Sequence, residues 1–292
     1  MPDRLKVFLH VGAHKTASTH FQKILENSAD ALAQAGVRYV GPSFLRSTGL
    51  SLRRYLGISE RGSARASQAA MEELAGDCRC VFLSEENLLG HMYQGDGSEF
   101  VPPYPKADLR IEQIVNGLPN CDVNLLLSVR DPASYFVSTY SQALMRGDYR
   151  RFSDFASDVR PEEMEWSNLI RRLRLIPDLN DLFVWRHEDY PAVLPKVFGQ
   201  ISSNVQKPSS LRKNKTVHGG LSRTAVAVAL TWAEETPDDS SLGKVARRSF
   251  PVGDAHPAYS PWPQEIAEAS ARAYEDDLNL IADENGITLL RP

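Results

Sequence analysis

Lys15, Thr16, Ser18 and Thr19 stand between an apolar run, KVFLHVG, and an amphipathic stretch that starts near residue 18. A helix beginning there offers free N–H groups and the positive end of its macrodipole. A tight turn ahead of it directs more N–H groups inward. Lysine adds a full charge and the hydroxyls add donors, so the loop is suited to a phosphate-type oxyanion. The usual nucleotide P-loop, G-x-x-x-x-G-K-[ST], does not fit. Here Lys15 follows Gly12 by only three residues, with no glycine directly before it. The shorter loop should hold a smaller group than a triphosphate tail. Two other apolar runs also end on polar chemistry: CVFLS before Glu85 and Glu86, and VNLLLSV before Arg130.

These residues need strands to carry them. Short apolar runs predict strands at 6–12, 37–41, 80–84, 123–129 and 182–186. Helical spacing is read after the first loop as far as Gly36, and over 64–76, 107–118 and 131–147, with a stripe of Ala267, Ala271, Tyr274, Leu278 and Ile281 near the end. Asp131 suits an N-cap and Pro132 the first helical position. Phe136, Tyr140, Ala143 and Leu144 should form the buried face of that helix. The alternation predicts an α/β fold, a parallel sheet of about five strands flanked by helices on both faces. Ligands of such sheets sit beyond the carboxyl ends of the strands, where the Lys15 loop, the Glu85–Glu86 pair and Arg130 all fall. Residues 1–292 are expected to form one domain, with its core over 5–200. Loops are expected at 41–63, 92–106, 200–220 and 236–263, the last two within a C-terminal part of lid-like segments and helices.

Composition narrows the partners. A net charge of −4 argues against a general affinity for nucleic acid or an anionic membrane. VNLLLSV and TAVAVALTWA are too short to span a bilayer, and MPDRLKVFLH lacks a signal-peptide pattern. Cys78, Cys80 and Cys121 cannot all pair and match no zinc spacing, so they are read as reduced thiols of a cytoplasmic protein without a metal site.

Two stretches carry a family likeness. VGAHKTASTHFQ resembles the 5′-phosphosulfate loop of the sulfotransferases, typically K-[TS]-G-[TS]-[TS] before a helix. VRDPASYFVSTY resembles that family's 3′-phosphate site, an arginine closing a strand and a serine eight residues later, here Arg130 and Ser138. The resemblance implies a P-loop NTPase-like sulfotransferase fold. The implied donor is 3′-phosphoadenosine 5′-phosphosulfate (PAPS), with 3′,5′-ADP as product. The acceptor would be a hydroxyl or amine on a carbohydrate or small molecule. Lys15 would meet the oxygen bridging phosphate and sulfate. Thr16, Ser18 and Thr19, with loop N–H groups, would hold the 5′ phosphate, and Arg130 with Ser138 the 3′ phosphate.

The family's loop glycine is Ala17 here, which would cost about 1 kcal/mol if that position is left-handed. The resemblance also implies a base after the third strand, with Glu86 at the aligned position and Glu85 as the alternative. His14 could shape the loop by hydrogen bonding or touch the acceptor. Arg212 and Lys213 match a basic loop that related enzymes fold over the nucleotide. His187 and Glu188 could line the rim or cap the following structure. Tyr93, Tyr104, Tyr259 and Trp262 are expected to pack within the long loops rather than stack on an acceptor. The competing readings are a nucleoside-triphosphate-dependent P-loop kinase and a non-catalytic nucleotide- or anion-binding module.

Overall fold

The computed structural model describes residues 4–49, 52–56, 64–95, 102–201 and 220–292. Strands β1 (Leu5–His10), β2 (Val37–Val40), β3 (Cys80–Ser84), β4 (Cys121–Val129), β5 (Leu179–Arg186) and β6 (Ile287–Leu290) form an all-parallel six-stranded sheet in the order β2-β3-β1-β4-β5-β6. Alternate residues face opposite layers. Val7, Leu9, Val81, Leu83, Leu125 and Leu127 enter the core on one face. Phe8, Phe82, Leu126, Phe183 and Trp185 enter the core on the other. Burial on both faces is why these strands read as nearly continuous apolar runs. The chain adds β2 and β3 on one side of β1, then crosses to β4 on the other. The carboxyl ends of β1 and β4 therefore flank the switch point at which open α/β sheets bind ligands.

The helices are α1 (Ser18–Asn27), α2 (Ala29–Gln34), α3 (Pro42–Thr48), α4 (Leu52–Tyr55), α5 (Ala64–Ala75), α6 (Ala107–Asn116), α7 (Pro132–Leu144), α8 (Phe152–Phe155), α9 (Trp166–Arg174), α10 (Tyr190–Ile201), α11 (Arg223–Glu235), α12 (Leu242–Ser249) and α13 (Gln264–Asp283). Helix α1 and helix α10 cover the Phe8 face; α6, α7, α9 and α13 cover the other. The stretch predicted as one helix up to Gly36 is two, broken at Ser28, whose N–H returns to the Leu25 carbonyl. Asn27 and Ser28 are residue types whose side chains compete for the backbone. Beyond the predicted strands, four residues at the C-terminus supply β6 beside β5. The expected loop at 236–263 contains α12.

Helix α7 starts as its sequence requires. Asp131 accepts a hydrogen bond from Ser134 N at 2.8 Å and Pro132 opens the helix. Phe136, Tyr140 and Leu144 are buried, and Ala143 is half-buried. Helix α13 fastens this start. Ser270 Oγ accepts from Ala133 N (3.1 Å) and donates to Asp131 Oδ2 (3.2 Å). Tyr274 donates to Glu188 Oε2 (3.3 Å), while Glu188 Oε1 accepts from Asp131 N (3.0 Å). Asp277 accepts from Trp166 N (2.7 Å) and Ser167 N (3.1 Å), capping α9. N–H groups that helix starts leave unpaired are thus satisfied from α13 and Glu188. No helix among the described residues is long and apolar enough to cross a membrane. Cys78, Cys80 and Cys121 are free thiols.

Candidate active site

The Lys15 loop rests on a buried polar support. His10, at the end of β1, bonds through Nδ1 to Ser84 Oγ (2.8 Å), which also accepts from Gln22 Nε2 (3.1 Å). Burial lowers the His10 pKa to about 3, so the ring is neutral. Gly12 then brings the chain close over it. A Cβ on Gly12 would lie 3.0 Å from both His10 Nε2 and Ser18 Oγ.

From there the backbone turns sharply. Lys15 and Ala17 both take left-handed conformations with φ 68°. Alternating handedness turns successive N–H groups to one side, forming an anion nest. The N–H groups of Lys15, Ala17, Ser18 and Thr19 donate to no acceptor among the described residues. The first returning bonds run from His20 N and Phe21 N to Ala17 O (2.9 and 3.1 Å). Ser18 Oγ is buried without a hydrogen-bond partner. These orphaned donors, the close glycine and the adjacent lysine fit a phosphate.

Ala17 does occupy a position that favours glycine. Ala17→Gly should therefore raise stability. Relief of the left-handed strain exceeds the extra chain entropy by about 0.5–1 kcal/mol. Urea unfolding should show a higher midpoint at unchanged slope; an equal or lower midpoint would contradict strain at this residue.

The side chains of the loop divide by role. Thr16 is buried and its hydroxyl donates to Ala13 O (2.5 Å), so it braces the turn. Thr19 is exposed at the start of α1. His14 N and Nδ1 both meet the Tyr104 hydroxyl at 2.9 Å, and its ring stacks on Tyr104. Burial is the main cause that lowers His14 to about 4, so it is a neutral local brace. Tyr104 and Tyr93 are buried, as ordinary packing requires. Tyr259 and Trp262 pack by their rings against Phe152, and Trp262 Nε1 donates to Ala133 O (3.0 Å).

Lys15 and Arg130 come together. Arg130 Nη1 donates to the Lys15 carbonyl (2.9 Å) and Nε to Ser134 Oγ (2.8 Å), while Nη2 has no acceptor among the described residues. Ser138 lies one turn beyond Ser134 on α7 and is half-buried. The Lys15 side chain runs along α7, and Nζ donates to Gln142 Oε1 (3.0 Å). Burial lowers the Lys15 pKa to about 8; Glu86 opposes this, and Arg130, Arg247 and Arg146 add to it.

The two carboxylates after β3 separate. Glu85 is extended and caps a one-turn 3-10 helix (Glu86–Leu88), accepting from Asn87 N (3.0 Å) and Asn87 Nδ2 (2.6 Å). Glu86 turns toward Ser18 and Lys15. Burial raises its pKa, with Glu85 adding to the rise and Ser18 and Lys15 opposing it. The Ser18 hydroxyl lies beside this carboxylate without completing a bond of ordinary geometry.

His187 faces Thr16 and Arg130. Burial and then the Arg130 charge lower it to about 4, and its Nδ1 is buried without a partner. Glu188 bridges α7 and α13 by its bonds to Asp131 N and the Tyr274 hydroxyl while staying exposed beside Arg130. Arg212 and Lys213 lie outside the described residues.

Ser134, Gln142, Arg146 and Arg247 are site neighbours that sequence reasoning missed. The first three continue the four-residue spacing that starts at Arg130, which is the signal that could have found them. Arg247 carries no such signal, because a different helix brings it.

No family model and no curated protein matches the chain. Among solved structures it is similar to a sulfotransferase from Alicyclobacillus acidocaldarius, at 16% identity over 82% of this chain and 95% of that one, with a TM-score of 0.42. It is also similar to retinol dehydratase in complex with androsterone and inactive cofactor PAP, at 14% identity over 98% of this chain and 83% of that one, with a TM-score of 0.36. A structure of the PezAT chromosomal toxin–antitoxin system of Streptococcus pneumoniae follows at 11% identity over 97% and 88%, with a TM-score of 0.29. Similarities this distant carry no chemistry with them, which must be read from the side chains.

Proposed function

We propose that this chain transfers a sulfuryl group from PAPS to an acceptor hydroxyl or amine. One observation carries the reading: Lys15 joins a nest of free N–H groups to Arg130 while Glu86 faces it from the next strand. The nest and the α1 N-terminus would take the 5′ phosphate, and the free edge of the Arg130 guanidinium the 3′ phosphate. The donor supplies the sulfuryl group. Its sulfur–oxygen bond to the 5′ phosphate breaks with the electron pair left on that phosphate, and a new bond forms from the acceptor atom to sulfur. Glu86 takes the acceptor proton. Lys15 stabilises the charge that grows on the phosphate, an interaction stronger in the transition state than before it.

The two perturbed groups set a pH window. Glu86 must be ionised to accept a proton, so activity is lost as pH falls through its raised pKa. Lys15 must be protonated, so activity is lost as pH rises through about 8. The pH profile of kcat/KM for the donor should be a bell with its alkaline limb near 8, since kcat/KM reports the free enzyme. A flat profile from pH 7 to 10 would remove Lys15 from that role.

Binding gives the direct test. The protein should bind 3′,5′-ADP by calorimetry with affinity unaffected by a metal chelator, and Arg130→Ala should weaken it at least tenfold, the loss of a charged hydrogen bond worth about 1.5–3 kcal/mol. Magnesium-dependent ATP binding in its place would favour a kinase. Unchanged affinity in the variant would take Arg130 out of the site.

A further inference from the structure

Beyond Lys15, the turn that closes α7 and the helix packed on it carry charge that the nucleotide reading leaves unused. Arg146 stands in the turn just past the end of α7, where its N–H returns to the Ala143 carbonyl (2.9 Å) and its side chain is exposed. Helix α12 meets the end of α7 at this level. Gly243 makes the contact possible, since a Cβ there would lie 2.3 Å from the Leu144 carbonyl oxygen and 3.0 Å from Met145 Cα. Arg247, one turn after Gly243, therefore lies against the end of α7, with Nη1 3.4 Å from Met145 Sδ. Neither arginine forms an ion pair among the described residues. Both are close enough to Lys15 to disfavour its charged form. The two arginines and Lys15 repel one another, with Glu86 acting against them at Lys15, and a bound anion would relieve that repulsion.

Direction along α7 says whose anion it is. Arg130 sits at the start of the helix and holds the Lys15 carbonyl, whereas Lys15 Nζ reaches Gln142 near the end. The arginine pair lies farther on, beyond the lysine amine and away from Arg130. A nucleotide gripped at Arg130, with its reacting bond at Lys15, leaves the pair to the molecule on the other side of the transferred group.

We propose that Arg146 and Arg247 form an oxyanion subsite for the acceptor, so that the acceptor carries a carboxylate or similar oxyanion close to its reacting hydroxyl or amine. This rests on the sulfuryl-transfer reading above. Guanidinium groups suit the task because their planar forks meet two oxygens of one carboxylate.

The test uses a matched pair, p-nitrophenyl β-D-glucuronide and p-nitrophenyl β-D-glucoside, titrated into the full chain saturated with 3′,5′-ADP. The glucuronide should bind at least about tenfold more tightly. The Arg146→Gln/Arg247→Gln double variant should bring that ratio near one while its affinity for 3′,5′-ADP stays unchanged. Equal affinities in the wild type, no binding of either glycoside, a ratio that survives the double substitution, or a tenfold loss of 3′,5′-ADP affinity in the variant would each overturn the proposal. Failure of the wild type to bind 3′,5′-ADP strikes instead at the sulfuryl-transfer reading. The same titrations without nucleotide then still decide whether the pair selects an anion.

Discussion

Lys15→Ala should lower the release of 3′,5′-ADP from PAPS by roughly a hundred- to a thousandfold, the effect of removing one preorganised donor to a developing oxyanion. The loss should fall mainly on kcat. The nest N–H groups and Arg130 remain to hold the nucleotide, so its affinity should change far less. Lys15 is prepared for this role by its surroundings. Gln142 fixes its amine, Arg130 fixes its carbonyl, and burial keeps water from screening its charge. Lys15→Gln separates charge from shape, because it keeps a donor at reduced reach without the positive charge. Turnover measured over a panel of hydroxyl- and amine-bearing acceptors decides the matter. Rates within tenfold of the wild type in both variants would leave the protein an anion-binding module.

Glu86→Gln should cut turnover by about 10²–10⁴-fold, the usual contribution of a positioned general base, with 3′,5′-ADP affinity near normal. It should also abolish the acid limb of the pH profile. Glu85→Gln makes the informative control. Glu85 spends its carboxylate on Asn87, and the glutamine oxygen can still accept both of those bonds, so stability should change little and catalysis stay nearly intact. If Glu85→Gln reproduces the catalytic defect and Glu86→Gln does not, the base has been assigned to the wrong carboxylate.

What could be read beforehand follows from what is local. Strands covered on both faces must be apolar at nearly every position, which is why VFL, VFLS and LLLSV stand out. Strand β6 is short and half-exposed, and ITLL carries no such signature. Helix α9 hides its stripe among three arginines and polar residues, and α12 is a helix of two turns with only Leu242, Gly243 and Ala246 buried. The loop before α1 was readable because its residue types and its helix are contiguous. Its left-handed turns were not, since only the backbone shows that Lys15 and Ala17 share φ 68°. The direction of Glu86 depends on where the 3-10 turn begins, with Glu85 alone between it and the strand end. The placement of Arg247 depends on a contact between Gly243 and Leu144, about a hundred residues apart. No spacing within one segment can announce a contact of that kind.

Helix α13 has a meaning for the integrity of the chain that its distance from the Lys15 loop conceals. It works as a splint: Ser270, Tyr274 and Asp277 brace the beginnings of α7 and α9, and so hold in line the helix on which Arg130, Ser134 and Gln142 are mounted. A fragment ending at Pro263 would retain every described residue of the proposed cradle, yet Ala133, Trp166 and Ser167 would lose the partners of their N–H groups at the starts of α7 and α9.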